Sequence, residues 1–416
     1  MAAQDTGRSA QRRYRRTLML EKILADVIKI GRLTVRYPDG QVGRYGEGSP
    51  EAEWVIRDQS AIHRLIRNPW LQMGETYMDG AWDAPKGLAM LLEVLLRNVP
   101  DEPPSSLFAN LKRYLEQGNG RQASRRHVAH HYDLDESLFR LFLDQDMHYS
   151  CAYFANPNMT LEEAQVAKCE LIRRKLELKP GQRVLDVGCG WGSLALHLAR
   201  EADVDVTGIT LSKEQHRVAT ARAREAGLSD RVQFRLEDYR EHRGLYDRVV
   251  SVGMFEHVGA PHYETFFAKV RERLAPGGLT LLHHIGRSGP PGQTNPWIRR
   301  YIFPGGYNPA LSEVVPAIEK AGLKVADIEV LKFHYGYTLH EWQKRFQARR
   351  DEVVRRWDER FARMWEFYLA ACEASFAIGD LVVFHIQMAR SLEGLPLTRD
   401  AWYAEHDLDN EIAESA

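Results

Sequence analysis

With 416 residues, the chain is long enough for two domains that each bury a core. A formal net charge of −1 excludes a global field that would draw it to nucleic acid, and 27% charged residues exclude wholesale disorder. Four dispersed cysteines (Cys151, Cys169, Cys189 and Cys372) without a C-x-x-C pair read as reduced thiols, which points to the cytoplasm and to no metal site, and no run of about 18 apolar residues is present to span a membrane.

In chain order, the first feature is a cluster of five arginines between Arg8 and Arg16. It reads as a solvated tail or as an arm for anionic lipid headgroups. Residues 1–120 form a first unit of helix and strand. Leu18, Leu20, Ile23, Leu24, Val27 and Ile28 recur at helical spacing. Leu33–Tyr37 and Gln41–Tyr45, joined by Pro38-Asp-Gly40, predict a β-hairpin. A helix is predicted from Gly87 to Arg97, and Pro100, Pro103 and Pro104 punctuate its exit. A basic stretch from Lys112 to Arg126 leads to the second unit. His127, His130 and His131 lack partner carboxylates at ligand spacing and define no metal site.

The second unit, 121–416, alternates strand and helix. Strands are predicted at 183–188, 205–210, 232–238, 246–253, 278–286, 324–333 and 381–389, and helices at 161–178, 212–227, 263–274 and 311–322. This is an α/β pattern: a seven-stranded, doubly wound sheet covered on both faces. A helical insertion, 338–376, precedes the last strand. Its Phe346, Val353, Trp357, Phe361, Trp365 and Tyr368 share a face beside Arg349, Arg350, Arg355, Arg356, Arg360 and Arg363. That stripe reads either as core or as a lid that meets lipid.

Ligands of such sheets bind beyond the carboxyl ends of the strands. The first strand ends in Val184-Leu-Asp-Val-Gly-Cys-Gly-Trp-Gly-Ser193, which places Asp186 before Gly188, Gly190 and Gly192. Glycines let a ligand lie against the backbone, and the helix start beyond offers free N–H groups. The second strand ends in Thr210-Leu211-Ser212 with Gln215 close behind, a helix N-cap that also suits ribose hydroxyls. Asp238 and Tyr239, after the third strand, suit an adenine. Glu256 follows the fourth strand and His283 ends the fifth, so a carboxylate and an imidazole converge at one mouth. His284 reads as core. Upstream, Asp144–Phe154 is rich in aromatics and breaks the helical pattern.

The G-x-G-x-G turn resembles the first motif of class I S-adenosylmethionine methyltransferases. Together, H-Y-D-L, M-H-Y-S-C-A-Y-F, L-D-V-G-C-G-W-G, T-L-S-K-E-Q, F-E-H-V-G, L-L-H-H-I-G, Y-I-F-P-G-G and Y-x-Y-T-L-x-x-W resemble the cyclopropane-fatty-acyl-phospholipid synthase family over residues 128–390. The resemblance implies a Rossmann-like methyltransferase sheet, with S-adenosylmethionine held by Tyr149, Ser150, Asp186, Gly188, Cys189, Gly190, Gly192, Thr210, Leu211, Ser212, Gln215, Asp238 and Tyr239. It implies a bicarbonate cage of Cys151, Glu256, His283, Ile285 through its backbone, and Tyr335. Cys372 matches a cysteine with a proposed catalytic role, or else packs. Asp135-Glu136 and Ser193 depart from the family's pattern near the helix entry. The first unit resembles the N-terminal domain of the bacterial phospholipid enzymes, which implies a lipid or membrane-binding role.

The implied activity is methylene transfer from S-adenosylmethionine to the cis double bond of an unsaturated membrane phospholipid, through a carbocation and bicarbonate-assisted deprotonation. Implied partners are the phospholipid and the membrane surface, with the protein cytoplasmic, peripheral on the inner face, and homodimeric. The alternatives are a methyltransferase acting on a small amine, or one that leaves a methyl or methylene branch on the lipid.

Overall fold

The computed structural model describes residues 17–99 and 136–403. The arginines at 8–16, the prolines at 100–104, the basic stretch at 112–126 and His127, His130 and His131 lie outside the described residues.

The first unit opens with α1 (17–27), then β1 (Arg32–Arg36), β2 (Val42–Tyr45) and β3 (Glu51–Ile56). α2 (Gln59–Arg67), α3 (Pro69–Met78), β4 (Trp82–Asp83) and α4 (Leu88–Leu96) complete it. The expected hairpin forms: β1 and β2 are antiparallel, and Gly40 closes the turn at φ +87. β3 was not anticipated and runs parallel to β1, giving the order β2-β1-β3-β4. Alternation explains it, because Ala52, Trp54 and Ile56 are buried while Glu51 is exposed. On and just after α1, Leu20, Leu24 and Ile28 reach the core while Met19, Ile23 and Val27 stay exposed.

The second unit begins with a short helix, α5 (Glu136–Phe139), and then α6 (Leu161–Lys175). Thr160 and Glu163 cap α6 reciprocally, Thr160 N–H donating to Glu163 Oε2 at 2.8 Å. There follow β5 (Arg183–Val187), α7 (Ser193–Ala202), β6 (Asp205–Thr210), α8 (Lys213–Glu225), β7 (Val232–Leu236), β8 (Tyr246–Val252), α9 (Tyr263–Arg273) and β9 (Leu274–Arg287). Next come α10 (Pro296–Tyr301), α11 (Leu311–Lys320), β10 (Lys324–Leu331), α12 (His334–Ala348), α13 (Arg350–Arg356), α14 (Glu359–Ala377), β11 (Leu381–Ala389) and α15 (Asp400–Tyr403). The sheet order is β10-β11-β9-β8-β5-β6-β7, with β11 antiparallel to both neighbours. The chain winds outward from β5 to β7 and then returns to β8. The crevice at the carboxyl ends of β5 and β8 is therefore the switch point where ligands bind.

The helical insertion before β11 forms as three helices. Trp357 ends α13, and Asp358 caps α14 by accepting from Phe361 N–H at 2.7 Å. Its aromatic stripe is mainly core: Phe346, Val353 and Trp365 are fully buried and Tyr368 nearly so. The arginines beside it are drawn into ion pairs, Arg350 with Glu359 and Glu366, Arg356 with Glu352, and Arg360 with Asp79. The core reading of the stripe therefore holds for these buried side chains, while Arg356 and Arg360 remain about half-exposed in their ion pairs. α14 also clamps the two units together. Arg363 donates to Tyr77 O, Trp82 O and Asp83 Oδ1, and its guanidinium lies 4.1 Å from the Tyr77 ring centroid. Trp297 of α10 packs on Phe367 at 4.7 Å and leaves room for only a glycine at position 74 of α3.

Candidate active site

The switch-point crevice holds a cavity. Its walls come from 147–150, the β5 turn, the end of β6, the segment after β7 and the segment after β8. Tyr149, Ser150, Asp186, Gly188, Cys189, Gly190, Thr210, Leu211, Gln215 and Tyr239 all line it. Gly188 shows why the turn is glycine-rich. It sits at φ +86, and a Cβ there would fall 2.6 Å from the Met254 side chain. Thr210 Oγ1 donates to Gln215 Oε1 at 2.9 Å, which sets two polar groups side by side at the end of β6. Tyr239 is held edge-on by Phe266. Burial pushes the Asp186 carboxyl up to about 7, against the pull of the Lys168 ammonium.

Three expected cofactor residues stand outside this lining. Gly192 faces the sheet, where a Cβ would fall 2.6 Å from the Phe234 ring, so its role is close helix–sheet packing. Ser212 caps α8 by accepting from Gln215 N–H. Asp238 is buried and turned to Arg240, accepting from Nε at 2.8 Å and Nη2 at 2.7 Å, while Glu237, Tyr239 and Arg240 line the cavity.

A second group of side chains lies next to the cavity. Glu256 sits in the single turn Phe255–His257 after β8. Its Oε1 accepts from Ile285 N–H at 2.6 Å, and its Oε2 is buried with no partner. Burial pushes this carboxyl up to about 7. His283 lies one strand across from β8, two residues before Ile285 and on the same face. Burial and the Lys168 charge hold it well below the ordinary histidine range, so it is neutral. His284 points the other way and packs on Phe255 and Phe384. Tyr335 of α12 packs on Trp342 and Phe376. Burial, then the fields of Tyr149, Cys151, Cys372 and Glu256, raise its hydroxyl well above the usual range. Trp342 also stacks on Tyr149, at 5.3 Å between ring centroids, so α12 brings Tyr335 to the same neighbourhood. Cys151 is fully buried, with Sγ donating to Ala152 O. Burial pushes the Cys372 thiol up to about 12, so it is uncharged at neutral pH and lacks nucleophilic character.

Sequence reasoning missed a polar set under the cavity. Lys168 is buried on α6, lines the cavity and donates to Ser150 Oγ at 3.2 Å. His148 also lines it, held between Asp144 Oδ2 at 2.8 Å and Cys169 Sγ at 3.2 Å. The signal was present: Lys168 and Lys175 lie seven residues apart, on the face of α6 that carries its buried residues. Among the described residues, no cluster of His, Cys, Asp and Glu is arranged to hold a metal ion.

Fold and site together define an S-adenosylmethionine-dependent methyltransferase of class I architecture. The chain belongs to the mycolic acid cyclopropane synthetase family, whose model matches residues 119–386. A domain of unknown function, DUF7884, matches residues 19–100. The chain is 38% identical over 356 residues to the cyclopropane-fatty-acyl-phospholipid synthase of Escherichia coli (strain K12), covering 85% of this chain and 92% of that one. It is 36% identical over 384 residues to the tuberculostearic acid methyltransferase UfaA1 of Mycobacterium tuberculosis, covering 88% of each. Among solved structures, mycolic acid cyclopropane synthase CmaA1 complexed with SAH and CTAB superposes with a TM-score of 0.60 at 34% identity. That match covers 64% of this chain and 97% of the other.

Proposed function

We propose that this protein converts the cis double bond of an unsaturated phospholipid acyl chain into a cyclopropane ring, using S-adenosylmethionine as the one-carbon donor and hydrogencarbonate as the base. The observation that carries the reading is Glu256: a buried carboxylate with one oxygen fixed on Ile285 N–H and the other unpartnered, beside a methyltransferase cofactor cavity. Such an orphan oxygen calls for a small polar guest that can donate to it. The E. coli relative's name and its coverage of most of this chain support the lipid substrate.

The cavity residues fit S-adenosylmethionine. Lys168 supplies a buried cation for its carboxylate, Thr210 and Gln215 suit the ribose, and Tyr239 suits the adenine. When bound, it supplies an electrophilic methyl, and hydrogencarbonate supplies a weak base. The chain's own residues do the rest. An isolated olefin is a poor nucleophile, so it must be held in line with the methyl. Attack leaves a positive charge on the acyl chain. The faces of Tyr149 and Tyr335 stabilise it by about 0.5–2 kcal/mol each. Glu256, His283, Tyr335 and the Ile285 backbone hold the base against the new methyl, which gives up a proton as the ring closes. Cys151 and Cys372 contribute apolar wall. Closely packed aromatics such as Phe139, Phe142 and Trp342 around Tyr149 exclude the water that would otherwise trap the cation.

The enzyme reaches its substrate from the membrane surface, on the cytoplasmic side and as a homodimer. Among the described residues no helix is long and apolar enough to cross a membrane. The exposed row Met19, Ile23, Val27 and Ile30 on and just after α1 supports contact of the first unit with lipid. The similarity to UfaA1 over 88% of the chain favours one second reading, a methyl-branched product from the same olefin. Incubation with S-adenosylmethionine and unsaturated phospholipid vesicles, followed by mass analysis of the acyl chains, decides. Ring products support the proposal; branched products support the second reading; unaltered chains with a methylated amine refute both.

A further inference from the structure

A buried polar array runs away from the site behind His283, and its other members have no part in the chemistry above. Glu329 on β10, His385 on β11 and His283 on β9 are register partners across three adjacent strands. Direct partners project on one face, so the three side chains form a row across the sheet. The row points to β8, where Val252, the next partner of His283, lines the cofactor cavity. Lys175, in the last turn of α6, lies over the row. Its Nζ donates to Glu329 Oε2 and lies 3.2 Å from His385 Nδ1. His385 Nε2 lies 2.8 Å from His283 Nδ1. Lys175, His283 and His385 are each at most 2% exposed.

Donor logic gives this array a direction. An ammonium has only donors, so His385 must accept from Lys175 at Nδ1. A neutral imidazole that accepts at one nitrogen carries its proton on the other. His385 therefore donates from Nε2, and His283 accepts at Nδ1. The proton of His283 is then on Nε2. Both rings are neutral: burial comes first in each case. Lys168, His284 and Lys175 add to it at His283, and His283, Lys175, His334 and Lys168 add to it at His385. Burial lowers the Lys175 ammonium from its ordinary range, and its ion pair with the Glu329 carboxylate opposes that shift.

We infer that Lys175 and His385, anchored by Glu329, are positioning residues that fix His283 as a neutral Nε2–H donor toward an anion in the active site. A free imidazole exchanges between two tautomers, and the wrong one would turn a lone pair toward an anionic oxygen. The array removes that choice. The anion is taken from the proposed function, in which it is hydrogencarbonate; the tautomers themselves do not depend on that reading.

The test uses the full-length protein labelled with 15N-histidine. Two-bond 1H–15N correlation spectra at neutral pH are expected to show His283 and His385 as Nε2–H tautomers. Lys175→Met removes the fixed donor; His385 then shifts toward the Nδ1–H form, and kcat falls about tenfold or more while the KM for S-adenosylmethionine stays within about twofold. His385→Gln keeps the direction, because its amide oxygen accepts from Lys175 and its amide N–H donates to His283. It is expected to retain most of kcat, whereas His385→Leu behaves like Lys175→Met. An Nδ1–H tautomer or an imidazolium at either wild-type ring overturns the inference. So does a Gln variant no better than Leu, or a Lys175→Met variant with unmoved histidine signals. If the tautomers are as stated but no lipid product forms, the proposed function fails and this assignment stands.

Discussion

Replacing Glu256 by Gln separates the charge of this side chain from its shape. Burial raises the wild-type carboxyl from 4.5 to about 7. An acid raised in this way holds its proton longer in the folded state than in the unfolded one. Its contribution to stability is complete below its unfolded value and is lost as pH rises through about 7. The gap is worth roughly 3 kcal/mol, at about 1.4 kcal/mol per pH unit. Gln keeps an acceptor for Ile285 N–H and cannot ionise, so this pH-dependent loss disappears. Its amide N–H, placed where Oε2 has no partner, costs about 1–3 kcal/mol at every pH. About 2.5 kcal/mol of the gap falls between pH 5 and pH 8, so the variant should gain on the wild type by roughly 5 °C over that range, at about 2 °C per kcal/mol. Thermal unfolding at the two pH values reads this directly. In the same samples, acyl-chain analysis should show turnover reduced about 100-fold or more, with affinity for S-adenosylmethionine nearly unchanged. A melting difference independent of pH would refute the buried, raised carboxyl. Undiminished turnover would remove Glu256 from the chemistry.

Gly188→Ala should weaken S-adenosylhomocysteine binding by about tenfold or more in titration calorimetry, since the new methyl meets Met254 at a left-handed backbone. Gly181→Ala, equally left-handed but facing open space, should bind normally; equal behaviour of the two would refute the steric argument. Tyr335→Phe keeps the ring packing on Trp342 and Phe376 but loses the hydroxyl, and should lower kcat about tenfold or more without raising the KM for S-adenosylmethionine. An unchanged kcat would place that hydroxyl outside the reaction. Arg363→Met leaves the carbonyls of Tyr77 and Trp82 and the Asp83 carboxylate without their donor, at a cost of about 3–5 kcal/mol. Hydrogen exchange should then accelerate in α3 and β4 before β5; unaltered protection there would show that the clamp is dispensable.

The sheet was legible because its central strands are apolar runs and its edge strands β7 and β10 interleave apolar with polar residues, all bounded by glycine, proline or polar turns, and those signals are local. The Pro-Asp-Gly hairpin was legible for the same reason. β3 was not, because Glu51, Ala52 and Glu53 are weak strand formers and Val55 breaks the polar–apolar alternation with Ala52, Trp54 and Ile56. At the site, the glycine turn, Glu256 and His283 followed from strand ends. The orientation of Asp238 did not, since spacing cannot decide between Arg240 two residues on and a ligand across the cleft. The aromatic stripe at 346–368 carried two readings of equal standing. What favours the core reading is the burial of Phe346, Val353, Trp365 and Tyr368, together with pairing of Arg350 and Arg363 to acids distant in sequence, which spacing alone does not reveal.

The junction at α14 also bears on how small this enzyme can be made. CmaA1 aligns over 97% of its own length while covering 64% of this chain, so a catalytic unit of that size is viable elsewhere. Deleting residues up to 135 here would uncover the face that Trp297 and Phe367 present to α3 and strip Arg363 of its acceptors. Such a trimmed version would invite self-association through bare aromatic rings. A usable minimal enzyme would need that patch recoated with polar side chains before its catalytic power could be judged.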